Sequence, residues 1–149
     1  QMKGAKMSGH INLVKLCVGA EKVEDLEAWQ RDRLSRGPDG KVRHVTRMWP
    51  KRSEALLSGG SLYWVFKGVI LARQRILRLD EVPDGEGRTR CGIVLETPVI
   101  RTRPAARKPF QGWRYLAPED APADLPVGRT GEAQLPRHLE DALDAMGVV

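Results

Sequence analysis

The chain has 149 residues, 30% charged and 41% hydrophobic, with a formal net charge of +6 and two cysteines. That length suits one domain with its own core, and the balance of charged and apolar residues excludes a disordered or a membrane-embedded chain. The longest early apolar run, Ile11 to Ala20, is interrupted by Lys15 and is too short for a signal sequence or a membrane span, so a cytoplasmic protein is expected.

Residues 1–10 begin without Met and carry no pattern, and they are expected to be a disordered start left over from cloning. A single α+β domain over residues 11–149 then remains. Ile11 to Val18 has the β-branched content of a strand, ended by Gly19. Glu21 to Arg36 reads as a helix with Val23, Leu26, Trp29 and Leu34 near helical spacing, Trp29 as a core anchor, and Glu24, Asp25 and Glu27 in the early turns. Gly37-Pro38-Asp39-Gly40 stops it.

Val42 to Met48 is a predicted strand with Val42, His44, Thr46 and Met48 on one face and Arg43, Val45 and Arg47 on the other. Pro50 opens a short helix over 50–58, closed by Gly59-Gly60. In the strand Ser61 to Lys67, Leu62, Trp64 and Phe66 alternate with Tyr63, Val65 and Lys67, which puts Trp64 in the core. The strand Val69 to Leu79 sets Arg73 and Arg75 on one face. Each must then reach solvent, an anionic ligand, or a carboxylate such as Asp80 or Glu96.

Pro83-Asp84-Gly85-Glu86-Gly87 reads as a hairpin loop returning the chain into strands over Cys91–Glu96 and Val99–Thr102. Arg103 to Lys108 is predicted to be a basic loop and Phe110 to Leu116 a strand that closes the sheet. Ala117 to Gly131 is irregular, and an amphipathic helix over 136–146, with Leu135, Leu139, Ala142, Leu143 and Met146 on one stripe, is expected to dock on the barrel. Short strands joined by turns imply a mixed, largely antiparallel, partly open β-barrel with flanking helices.

Charge is uneven along this layout: residues 41–115 hold 16 basic and 6 acidic side chains, whereas residues 116–149 hold 2 basic and 7 acidic. A cation-rich middle suits a phosphate-bearing partner. Two clusters join cations to aromatic rings: Arg47-Met48-Trp49 with Lys51, and Gln111 with Trp113-Arg114-Tyr115. Arg47, Lys51, Arg73, Arg75 and Arg114 are candidates for phosphate contact, Trp49 and Trp113 for base stacking, and Thr46 and Gln111 for polar contacts. Cys17 and Cys91 lie in apolar runs with no ligand spacing around them and read as small buried hydrophobes in a reducing compartment, so no metal is assigned. No phosphate loop, HExxH, CxxC or nucleophile elbow occurs, so no cofactor and no catalytic residue is assigned.

The reading from these residues is a non-catalytic binder of RNA or of a modified base or nucleotide. Two alternatives stand beside it. One is a small hydrolase of a nucleoside-like amide using Lys51 or His44 with Glu54; the other is a protein-interaction module using the acidic carboxyl-terminal segment.

The runs Ile11 to Gly19, His44 to Arg52 and Phe110 to Leu116 together resemble a bacterial family catalogued as a domain of unknown function, over about Ile11 to Leu125. More distantly, Arg47-Met48-Trp49-Pro50, the short helix, Ser58-Gly59-Gly60 and two long strands are similar to the PUA-like superfamily with its ASCH and EVE domains. That resemblance implies a small mixed barrel with a ligand cleft, several relatives of which bind RNA or modified bases. The Lys and Glu of the ASCH motif are missing after Gly59, where Leu62, Tyr63 and Trp64 stand, so the resemblance does not extend to hydrolysis.

Overall fold

The computed structural model describes residues 9–32 and 36–126. Seven strands and two α-helices appear in the order β1 (Asn12–Leu16), α1 (Val23–Gln30), β2 (Val42–Thr46), α2 (Ser53–Leu57), β3 (Ser61–Phe66), β4 (Val69–Pro83), β5 (Thr89–Leu95), β6 (Ile100–Ala106) and β7 (Trp113–Leu116). The strands form one mixed sheet in the order β2-β5-β4-β3-β1-β7, with β6 also on β4. Among the described strands only β1 and β3 run parallel, with Leu13 opposite Leu62 and Leu16 opposite Val65. The expected helix over 136–146 lies outside the described residues.

β4 organises the sheet. Lys67 and Gly68, both at positive φ, make a two-residue hairpin turn that folds it back on β3. Its first half pairs with β3 on one side and β6 on the other; its second half, beyond a register shift between Ile76 and Arg78, pairs with β5. A bulge in so long a strand bends it and adds twist. The sheet therefore curls towards a barrel without closing; β2 and β7 end its main run of strands, and β6, paired with β4 alone, makes a further edge. β7 ends the sheet where the sequence led us to expect a closing strand.

Leu13, Leu62, Trp64, Phe66, Ile76, Ile93 and Leu95 fill the inside of the curl. Val14, Tyr63, Val65, Ile70 and Leu116 form a second cluster on the other face, packed against Phe110, Ala105 and Ala121. All six residues of β3 are buried because both of its faces are covered. At Gly60 an added Cβ would lie 2.1 Å from the Ile11 carbonyl oxygen, so only glycine lets the chain leading into β1 pass there.

Three local expectations need correction. Val23, Leu26 and Gln30 make the buried face of α1, while Trp29 falls at the margin of that stripe and is 44% exposed rather than a core anchor. The segment expected as a basic loop is mostly strand: β6 runs to Ala106, with Pro104 accommodated where the pairing with β4 is irregular. The second helix starts at Ser53 instead of at the buried Pro50.

Candidate functional site

The open side of the curl is a seam between β2 on one side and β1 with β7 on the other. Two hydrogen bonds cross it: the Trp113 indole N–H donates to the Met48 carbonyl at 3.2 Å, and the Arg52 backbone N–H donates to the Tyr115 hydroxyl at 3.0 Å. Along the seam lies a cleft of about 550 Å³ whose walls include Lys15, Thr46, Arg47, Arg90, Gln111 and Trp113. Four of the nine predicted site residues, Thr46, Arg47, Gln111 and Trp113, thus meet in one place, and Lys15 and Arg90 join them.

The roles of these four differ from one another. Arg47 and Gln111 are exposed and have no side-chain partner among the described residues. Thr46 is buried and its hydroxyl donates to the Met48 carbonyl at 3.1 Å. Trp113 is 7% exposed and meets Tyr115 edge-on with ring centroids 5.1 Å apart, so it stands as a wall and has no free face for a base to stack on. Lys15 is half-buried, and desolvation lowers its pKa. Arg90 sits 3.6 Å from the Asp84 carboxylate.

A second cleft, of about 360 Å³, is lined by Cys17, Asp25, Leu26, Trp29, His44 and Trp64, among others. His44 meets Trp64 edge-on at 5.0 Å, and its Nε2 is buried without a hydrogen-bond partner among the described residues. Burial, helped by the positive charge of Lys15, lowers the His44 pKa to about 4, so the ring is neutral at pH 7. Lys15 lines the seam cleft, and its positive charge also acts on His44. The Cys17 thiol is pushed up to about 11 by desolvation and is no nucleophile at neutral pH. Neither Lys51 nor Glu54 lines the cleft that holds His44.

Trp64 is held by a buried amide network. Its indole N–H donates to Gln74 Oε1 at 3.0 Å, the Gln30 and Gln74 amides exchange hydrogen bonds, and Gln74 Nε2 also donates to the Glu96 carbonyl. Nothing in the local pattern singled out Gln30 or Gln74, because partners 44 residues apart leave no periodic trace.

The remaining candidates lie elsewhere. Arg73 grips Asp124 through two hydrogen bonds of 2.7 and 2.8 Å, and neither Asp80 nor Glu96 is its partner. Arg75, two residues along the same strand, is exposed. Arg114 donates to the Gln111 and Trp113 carbonyls and lies over the Phe110 ring at 5.6 Å. Trp49, 37% exposed, and the exposed Lys51 follow Arg47 in the chain without lining its cleft. Among the described residues no group of three His, Cys, Asp or Glu side chains is placed to hold a metal ion, and no helix is long and apolar enough to cross a membrane.

No curated protein and no solved structure matches the chain. A family described as protein of unknown function (DUF1489) matches residues 13–149, nearly the whole chain, in keeping with the resemblance read from the runs at Ile11, His44 and Phe110. The chain belongs to the DUF1489 family.

Proposed function

We propose that the protein binds RNA, or a modified base or nucleotide, without catalysing a reaction on it, and that the ligand lies along the seam. One observation carries this reading: Lys15 and Arg47 line a single cleft with Arg90, and neither Lys15 nor Arg47 has a carboxylate partner among the described residues. Other arginines are engaged, Arg73 by Asp124, Arg78 by Asp39 and Asp80, and Arg101 by Glu24 and Glu27. Like charges gathered in one concavity repel one another, and a bound phosphate would relieve that repulsion.

Aromatic surface lies next to the cations. The seam cleft has the Trp113 edge in its wall, and the cleft walled by His44, Trp29 and Trp64 offers further aromatic surface for a base. Gln111 is free to offer both donor and acceptor to a base edge. The reading draws its preference for RNA or a modified base from the PUA-like resemblance. Two buried, unpaired cysteines agree with a bacterial cytoplasm.

Titrating a mixed RNA pool at a series of salt concentrations tests the proposal. Binding that weakens steeply with salt is expected, because phosphate contacts release condensed counterions. Absence of binding to any RNA or nucleotide at low salt would overturn it.

A further inference from the structure

A separate pocket lies on the other face of the sheet and shares no wall with the seam. It measures about 300 Å³ and is lined by Asn12, Ser61, Tyr63, Arg73, Pro122 and Asp124, among others. Strand alternation puts Ser61 and Tyr63 on one face of β3, with Arg73 of β4 directly opposite Tyr63. From β1, Asn12 is fixed by accepting the Ser61 backbone N–H at 2.9 Å.

The hydrogen-bonding groups here are unevenly used. Asn12 spends its carbonyl oxygen on Ser61, and its amide N–H groups have no partner among the described residues. Ser61 accepts from Arg73 Nη1 at 2.8 Å, which leaves its own hydroxyl hydrogen unspent. The Tyr63 hydroxyl has no partner among the described residues either. Among those residues the one fully buried side-chain polar atom without a partner is His44 Nε2, so the Asn12 amide nitrogen and the Tyr63 hydroxyl, which have none there, are not sealed from open space. Asn12, Ser61 and Tyr63 are only 3%, 2% and 7% exposed, and the pocket they line supplies that opening.

We propose that this pocket binds a small carboxylate, held by the hydrogens of Asn12, Ser61 and Tyr63 beside the Arg73–Asp124 ion pair. An ionised carboxylate is acceptor-only, with about four lone-pair sites on two oxygens, and the amide and two hydroxyls together offer a matching set of hydrogens. Asp124 already neutralises Arg73, and His10 is the one other basic side chain among the lining residues, so the pocket offers neutral donors enough for one negative charge and at most one further cation, too few for a doubly charged phosphate. Pro122 leaves an apolar wall for a short carbon chain.

The test is an NMR titration of the full chain, following backbone amides, with acetate, propionate and inorganic phosphate as separate ligands. Saturable shifts at Asn12, Ser61 and Tyr63 are expected with both carboxylates. Tyr63→Phe keeps the packed ring and removes one hydroxyl, and it should weaken binding about tenfold, the effect of one hydrogen bond to a charged group; Ser61→Ala should act likewise. Lys15→Ala, in the seam, should leave carboxylate binding unchanged. No saturable shift with either carboxylate, tighter binding of phosphate, or wild-type affinity in a folded Tyr63→Phe protein would each overturn the proposal.

Discussion

The side-chain amides of Gln30 and Gln74, 44 residues apart, exchange two hydrogen bonds of 2.7 and 2.8 Å in the interior, and Gln74 alone also serves Trp64 and Glu96. Through this exchange the packing of α1 is coupled to the orientation of an aromatic wall of the His44 cleft. Gln74→Leu would leave the Trp64 indole N–H and the Glu96 carbonyl without their Gln74 partner, and about 1–3 kcal/mol is lost for each buried group left unsatisfied. Urea unfolding should show Gln74→Leu less stable than wild type by about 3 kcal/mol or more and Gln30→Leu affected less. Equal losses in the two variants would mean that the network is not centred on Gln74.

Gly60→Ala should be severely destabilising. Its Cβ would meet the Ile11 carbonyl oxygen at 2.1 Å and the Leu56 carbonyl oxygen at 2.8 Å, and both obstacles are backbone that cannot turn aside. Separating these segments disturbs the start of β1 and its parallel pairing with β3, at a cost of roughly 3 kcal/mol or more. Gly40→Ala has open space around its Cβ and a positive φ alone to overcome, so it should cost only about 1 kcal/mol. Thermal melts of the two variants rank them.

His44 gives stability a defined dependence on pH. Its folded-state pKa is lowered from 6.5 to about 4, chiefly by burial, so between those values the unfolded chain binds a proton that the folded protein does not. The contribution of neutral His44 is complete above pH about 6.5 and is lost as the pH falls towards 4, by up to about 3 kcal/mol. His44→Phe should flatten the urea-derived stability profile across that window. An NMR titration in which the His44 ring protonates near its ordinary value would contradict this.

Arg73 and Arg75 should separate cleanly. The Arg73–Asp124 pair has ideal two-point geometry but is half-exposed, which puts Arg73→Ala at about 1 kcal/mol; Arg75→Ala should stay within about 0.5 kcal/mol. Hydrogen bonding from Arg73 holds the Asp124 carboxyl below its ordinary pKa, so the pair's contribution is present above the unfolded carboxylate value and fades as the pH falls through the lower folded one. The gap between wild type and Arg73→Ala should therefore narrow in acid, while Arg75→Ala tracks wild type throughout.

Local pattern carried much of the fold. The alternation of Leu62, Trp64 and Phe66 placed β3 and its inward face, Gly59-Gly60 marked the sharp passage before it, and the apolar surroundings of Cys17 and Cys91 matched their burial. What escaped were relations that no short window contains. The parallel pairing of β1 with β3, the partnership of Arg73 with Asp124 and the amide exchange of Gln30 with Gln74 are all set by tertiary placement. Trp29 misled because hydrophobic spacing cannot tell the centre of a helical stripe from its margin, and Gln30 took the inner position by finding a polar partner. At the site, composition singled out Arg47 and Gln111. Lys15 read as no more than an interruption in an apolar strand, although that interruption is where the chain sets a half-buried cation into the seam.

The most direct measurement of the seam's role is an RNA-pool titration over a range of salt with wild type, Arg75→Ala and the double variant Lys15→Ala/Arg47→Ala, each first shown by a thermal melt to be folded. If Lys15 and Arg47 contact phosphates, the double variant should bind more weakly and lose about two from the magnitude of its log–log salt slope, about one for each cation removed, while Arg75→Ala keeps the wild-type slope. A folded double variant with wild-type affinity and wild-type slope would contradict nucleic-acid binding at the seam.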